Sequence, residues 1–495
     1  MKKHGSRTLA LLLCTLAIAA VGEAQGFGQP LTFQGLDHFT TPSVTARSFG
    51  GVTFGSADAG VGMMFTNPSS LQGLSAPRIS VGGAQYYSDA AQKQQYSPLK
   101  YYSNFSLLME GLTGVISNPT TYDTSLTYQA KDSVQRPFDK IAPGWSTQQP
   151  HAGTINVFAA VPLSVGDMKF SVGAGMAEYS DLTWTFQNNN VLSPSILSVN
   201  PNTTTIPPNN LDTNSIPVRW FQYTQQRTGS IQSYGGALSA ALWESFTVGV
   251  NAMLLKGNSD DRETQVERGR IRFYQNFFRA ESVYYRSSTT GTSKYDGQEF
   301  TVSVYYRGKF VGLGLSVKPA TTITRTYSSV VRTDTIGASS ATASKGEDKM
   351  TIPMRGSAAI TIAVRENLTL GLQYDLRPYA SAEYQRTGKS VTKPWISANV
   401  LHLGLEYRPM SMLTLRAGAR EQAEVFEPNG NPLPGESARS TVYSVGFGAV
   451  FSGLHLNAVY EYSKLKYIDM WASAVSINTV TAQTVSADLS YEIPW

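Results

Sequence analysis

The sequence predicts an all-β fold, a transmembrane antiparallel β-barrel of about 14 strands with an N-terminal plug inside it. Three observations predict it. After an export leader, no apolar stretch reaches the roughly 20 residues that a spanning helix needs. Segment after segment alternates apolar and polar residues with the period of two that a strand imposes. The connections between these segments alternate as well, one short and the next long, as the turns and loops on the two sides of a membrane barrel do.

The leader comes first. Lys2, Lys3 and Arg7 precede an apolar run over 9–21, and Gly22, Glu23 and Ala24 supply small residues where signal peptidase reads, so residues 1–24 are a signal peptide cut after Ala24. The one cysteine, Cys14, lies inside that apolar run behind Leu13, which is too large for a lipobox. The mature chain therefore has no disulfide framework and no thiol chemistry. Removing Lys2, Lys3, Arg7 and Glu23 from 40 basic and 35 acidic residues leaves 37 and 34, a net +3 that favours no nucleic acid or other polyanion. The 43 glycines and 11% aromatic content suit a barrel, which sets small residues in its lumen and aromatic ones at the membrane interfaces.

Residues 25–76 change character. They are rich in Gly and Ala and carry no sustained alternation, and they include Phe49, Gly50, Gly51, Val52, Thr53 and Phe54. The step Asn67-Pro68-Ser69 reads as a turn or a helix start with Pro in its first turn. So few large apolar residues cannot form a core alone. The segment must pack inside something larger, and the lumen of a barrel fits that need.

Residues 77–495 form the barrel. Alternating segments run over 79–87, 154–161, 168–179, 231–242, 246–256, 300–306, 310–318, 354–364, 368–377, 399–407, 413–421, 441–451, 454–461 and 485–495. Leu368, Leu370, Leu372, Tyr374 and Leu376 share one face; Thr369, Gly371, Gln373, Asp375 and Arg377 share the other. Short turns fall at 162–167, 243–245, 307–309, 365–367, 408–412 and 452–453, whereas 88–153, 180–229, 257–299 and 319–353 are long loops. In the last strand Leu489, Tyr491, Ile493 and Trp495 form the apolar face, with Trp495 at the interfacial girdle. These four are the assembly signal for the barrel assembly machinery.

A small-residue stretch with an Asn-Pro-small step ahead of the first strand resembles the N-terminal hatch of the FadL/TodX family, the outer-membrane transporters of long-chain fatty acids and hydrocarbons. Here Ser69 stands where that family carries Ala. The resemblance implies fourteen strands, residence in the outer membrane of a Gram-negative bacterium and passive uptake of hydrophobic molecules. It also implies a pocket behind the hatch, left when the hatch or an adjacent strand shifts. A shuttle barrel of the same superfamily that binds secreted proteins, and an unplugged porin, are the other two readings.

Candidate ligand positions lie in the loops and the lumen. Phe105, Leu108, Met109, Leu112, Val115 and Ile116 recur at helical spacing, as one apolar face of a short helix over the barrel mouth. It is either a buried cover or a landing site for an apolar substrate. Arg262, Arg268, Arg270, Arg272 and Arg279, interleaved with Ile271, Phe273, Phe277 and Phe278, form a rim facing lipopolysaccharide or a patch attracting carboxylates. Strand parity turns His402, Glu406, Arg416 and Arg420 into the lumen, with Arg416 diagonal to Glu406. These groups fill a polar interior, or His402 and Arg416 meet a substrate carboxylate.

No enzyme is expected. The mature histidines His38, His151, His402 and His455 lie in no motif with a nucleophile, and no cluster has metal-ligand spacing, so neither metal nor cofactor is expected. Replacing the landing helix residues by Leu108→Asp and Met109→Asp is expected to lower uptake of a hydrophobic substrate while the barrel still assembles. Unchanged uptake would remove that helix from the mechanism.

Overall fold

The computed structural model describes residues 39–56, 60–96, 144–193, 216–273, 278–281, 285–428, 436–471 and 474–494. The signal peptide, the candidate helix residues Phe105, Leu108, Met109 and Leu112, and Trp495 lie outside the described residues.

Among these residues, twenty strand segments form one antiparallel sheet. Six staves are interrupted once, so the twenty segments make fourteen staves. They are β1 (Arg78–Tyr96), β2 (Trp145–Ala152 and Asn156–Val165), β3 (Met168–Asp181 and Trp184–Ser193), β4 (Ile216–Trp243) and β5 (Phe246–Phe273). Next come β6 (Phe278–Glu281 and Tyr285–Arg307), β7 (Val311–Lys318 and Thr321–Thr335), β8 (Ala338–Ile352 and Arg355–Arg365) and β9 (Leu368–Leu376 and Glu383–Arg386). The last five are β10 (Val400–Met410), β11 (Leu413–Ala423), β12 (Arg439–Phe451), β13 (Leu454–Trp471) and β14 (Ala474–Glu492). Every expected alternating segment falls on its own stave.

The sheet closes on itself. β1 pairs with β14 from Arg78↔Glu492 to Tyr96↔Ala474, which leaves no free edge of backbone N–H and C=O groups toward hydrocarbon. Leu370, Leu372, Tyr374 and Leu376 are exposed on the outer face, while Gln373 is buried inside. Leu489, Tyr491 and Ile493 likewise face outward and Ser490 inward. Trp243, Phe310 and Phe451 are exposed at the short-turn end, where an aromatic girdle belongs. The turn between β12 and β13 sets Ser452 and Gly453 at φ 49 and 82°, the left-handed pair that a two-residue hairpin requires.

Among the described residues all four expected long loops carry strand. Residues 257–273, 278–281 and 285–299 continue β5 and β6, residues 321–335 and 338–352 continue β7 and β8, and residues 88–96, 145–152, 184–193 and 216–229 lengthen β1 to β4. With 28 residues each, β4 and β5 far exceed the ~9–11 that cross a bilayer. Past Leu254 the outward positions turn to Lys256, Asn258, Asp260 and Arg262. Both faces are then wet, so the apolar-polar alternation vanishes while the hydrogen-bond ladder continues.

Inside the short-turn half of the barrel lies the chain from Phe39 to Ser56 and from Gly60 to Ala76. A short helix, α1 (Val44–Ser48), is capped by Ser43, whose Oγ accepts the Ala46 N–H at 3.2 Å. Two 3₁₀ turns follow, Val61–Phe65 and Pro68–Gly73, the second opened by Pro68. Phe49, Val52, Phe54, Met63, Met64, Phe65 and Leu71 are all buried. The barrel wall supplies the core that this segment lacks.

The wall is shaped for that contact. Gly371, Gly404, Gly418 and Ser444 face one another across β9, β10, β11 and β12, a transverse row of small residues pointing inward. The turn Phe49-Gly50-Gly51 lies on this row. A Cβ on Gly404 would meet Phe49 O at 2.5 Å, and one on Gly418 would meet Gly50 Cα at 2.3 Å. Glycine is the residue that permits so close a backbone approach. Gly404→Val is therefore expected to keep a folded, heat-modifiable barrel but to speed proteolysis within residues 39–76. An unchanged cleavage pattern would show that the row does not seat the segment.

Candidate functional site

Polar links fasten the inner segment to the wall. Asn67 Nδ2 donates to Thr53 O at 2.8 Å, and Ser69 Oγ donates to Asn67 Oδ1 at 2.6 Å. Ser69 N donates to Ser303 Oγ on β6 at 2.9 Å, and Asn251 Nδ2 on β5 donates to Met64 O at 2.8 Å. Thr53 N and Oγ1 both donate to Gln373 Oε1, at 2.8 and 3.0 Å. Asn67-Pro68-Ser69 is thus a joint: Asn67 holds the segment to itself, Pro68 starts a turn, and Ser69 meets the wall. Each such bond contributes about 1 kcal/mol net. Moving the whole segment breaks several together.

His402 belongs to the same fastening. Its Nδ1 lies 3.1 Å from Gly50 O and its Nε2 lies 3.1 Å from Asp375 Oδ2. Arg416 is sealed in the wall: its Nε donates to Glu406 Oε2 at 2.8 Å, its Nη1 donates to Asn457 Oδ1 at 3.2 Å, and its side chain has no exposure. Ser56 Oγ donates to the same Glu406 oxygen at 2.6 Å. Arg416 and Glu406 stand directly opposite, not diagonal, because a register irregularity between Tyr407 and Met410 slides β10 against β11. His402 also lines a cavity above the segment, and Arg416 does not.

Above the segment, on the long-loop side, is a cavity of about 470 Å³. Gly51, Thr53 and Thr66 of the segment form its floor, with Arg47 beside them. One wall is apolar: Phe426, Leu465, Tyr467, Val442 and Val480, with Phe426 and Tyr467 edge to face at 5.2 Å. Phe39, Tyr86, Trp184 and Tyr379 also line it.

Its charges are grouped in a specific way. Arg47, from the segment, and Arg420, from β11, share the single carboxylate of Glu461 on β13. Arg420 keeps 25% exposure toward the cavity, and Glu461 only 4%. Lys318 and Arg355 likewise share Glu299, to which Tyr179 OH also donates at 2.7 Å. Arg355 also lies over the Phe39 ring at 5.1 Å. Each cluster sets two cations against one anion at the cavity edge. The lining as a whole sets Arg47, Lys318, Arg355, Arg377 and Arg420 against Asp181, Asp375, Glu421, Glu424 and Glu461, so it is the local pairing of cations beside an apolar wall, not a net charge, that suits a molecule with a greasy body and an anionic end.

Arg420 was visible in the sequence as a lumen residue by its parity with Arg416. Arg47, Lys318, Arg355 and the Phe426–Tyr467 wall carry no sequence signal, because they come together only from separate staves and from the inner segment. Among the described residues no group of His, Cys, Asp or Glu is arranged to hold a metal ion.

No family model matches the chain, and no curated protein matches it by sequence. Solved structures do match by shape. A Pseudomonas aeruginosa FadL homologue is similar at a TM-score of 0.53 and 13% identity over 92% of this chain and 98% of its own. The P. putida toluene transporter TodX matches at 0.53 and 10%, over 93% and 100%. The CymD monoaromatic hydrocarbon channel matches at 0.50 and 12%, over 93% and 100%. At 10–13% identity the likeness is one of fold: over nearly its whole length this chain has the fourteen-staved barrel architecture of the FadL homologue and the toluene transporter.

Proposed function

We propose that this protein is a passive outer-membrane transporter of hydrophobic compounds, with the inner segment as its hatch, and that long-chain carboxylic acids are among its substrates. The observation that carries the reading is the cavity above the segment, where an apolar wall faces Arg47 and Arg420 on one shared carboxylate. The fold is the one adopted by a toluene transporter and a monoaromatic hydrocarbon channel, which supports a hydrophobic cargo.

The physical logic favours a closed route. Exposing an acyl chain to water costs about 0.8 kcal/mol per CH₂, so a water-filled pore is a poor path for it. A chain lying against Phe426, Leu465 and Tyr467 avoids that cost, while its carboxylate meets guanidinium groups already held in place. Because Arg47 belongs to the segment, a carboxylate that draws Arg47 from Glu461 loosens one of the segment's ties to the wall. Ligand binding and hatch movement are coupled through that side chain.

Arg420→Ala is expected to weaken binding of a long-chain carboxylic acid roughly tenfold, about 1.4 kcal/mol, and to leave binding of an alkane of the same length unchanged. Displacement of a fluorescent fatty acid from the detergent-solubilised protein measures the first and competition by the alkane the second; equal losses for both would refute the carboxylate assignment. Arg416→Ala is expected to act on stability instead, costing about 3–5 kcal/mol by breaking a buried pair, with no change in ligand preference. Selective loss of carboxylate binding in that variant would move the site to Arg416.

A further inference from the structure

The outer wall of the barrel carries a groove of about 560 Å³ that transport does not use. It crosses four adjacent staves, β4 to β7, on the side facing away from the lumen. Register pairing builds it from two transverse rows. One row is Thr228, Asp260, Thr292 and Ser328; the next is Gln226, Arg262, Thr290 and Val330. All eight side chains are exposed on the outer face.

Its height on the barrel is fixed by the same strands. Tyr234 and Leu254 are among the last outward apolar residues of β4 and β5, at 40 and 52% exposure. The row above them holds Gln232, Lys256 and Asp296, and the row above that holds Ser230, Asn258, Lys294 and Thr326. Lys256 pairs with Asp296 at 61 and 53% exposure, an exposed contact of about 0–1 kcal/mol that a phosphate can replace. Same-face residues on a strand are ~6.6 Å apart, so the groove sits about 13 Å along β5 from Lys256. From the hydrocarbon edge upward the wall therefore presents apolar residues, then lysines, then a groove of hydroxyls, an amide, one carboxylate and one guanidinium.

We propose that this wall binds a phosphorylated saccharide headgroup of an outer-leaflet glycolipid such as lipopolysaccharide. Lys256 and Lys294 meet the phosphate at the membrane edge. Thr228, Thr292, Ser328 and Asp260 hydrogen-bond the hydroxyls of sugars rising from it, and Arg262 meets a further anionic substituent. A phospholipid headgroup matches the lysines but does not reach the groove. The inference rests on the outer-membrane placement and not on what the lumen carries, so fatty-acid binding can fail while this binding stands.

The full chain in detergent, or in nanodiscs of phosphatidylcholine, tests it with three probes: core-bearing lipopolysaccharide, lipid A without core sugars, and phosphatidylglycerol. Core-bearing lipopolysaccharide is expected to bind roughly tenfold tighter than lipid A, and Asp260→Ala to abolish that difference. Lys294→Glu is expected to weaken both phosphorylated glycolipids, whereas Lys464→Glu with Lys466→Glu, the same kind of change on the outer face of β13, leaves them unchanged. All these side chains are exposed, and heat-modifiable migration on gels confirms that each variant is folded. Equal affinity for phosphatidylglycerol, no effect of Asp260→Ala, or equal loss in the β13 variant would overturn the proposal.

Discussion

The structure depends on the pairing of its first stave with its last. A sheet in hydrocarbon cannot leave a row of N–H and C=O groups unbonded, since each costs several kcal/mol. The ladder from Arg78↔Glu492 to Tyr96↔Ala474 removes the only two edges that the other thirteen pairings leave. Closure then sorts the side chains. One face of each stave meets lipid and must be apolar, and the other is shut into a lumen where polar groups must satisfy one another.

That second demand explains why the interior is a set of ion pairs and amide bonds. Glu406, Arg416, Asn457 and Asp488 run as a chain from β10 to β14, passing over Gly448 of β12, from Arg416 Nη1 to Asn457 Oδ1 at 3.2 Å and from Asn457 Nδ2 to Asp488 Oδ1 at 3.0 Å. Gln373 and Asp375 link to Thr53 and His402 in the same manner. Glu406 and Arg416 bond each other and, through Ser56, the inner segment, whereas Gln373, Asp375 and His402 also line the cavity. At the cavity the arrangement differs: Glu461 and Glu299 each serve two cations, and Arg420 keeps exposure toward open space.

The inner segment and the wall are complementary in bulk as well as in polarity. The segment brings Phe49, Phe54 and Met64; the wall answers with Gly404, Gly314 and Gly173, whose missing side chains are the space those residues fill. Arg47 ties the same segment to the cavity above it. Close van der Waals contact and several polar bonds together hold the segment against the wall.

The sequence by itself determined the class, the number of staves and their facing, because lipid on one side and lumen on the other write a period of two into the chain; Leu370 to Leu376 and Leu489 to Ile493 read out without a structure. It did not determine where the staves end, since β5 beyond Leu254 is wet on both faces and hydropathy has nothing left to report. The direct opposition of Glu406 and Arg416 depended on a local irregularity of one hairpin that residue types do not encode. The cavity was decided by tertiary structure alone: Arg47, Arg420 and Glu461 are up to 414 positions apart in the chain, and only barrel closure around the segment makes them neighbours.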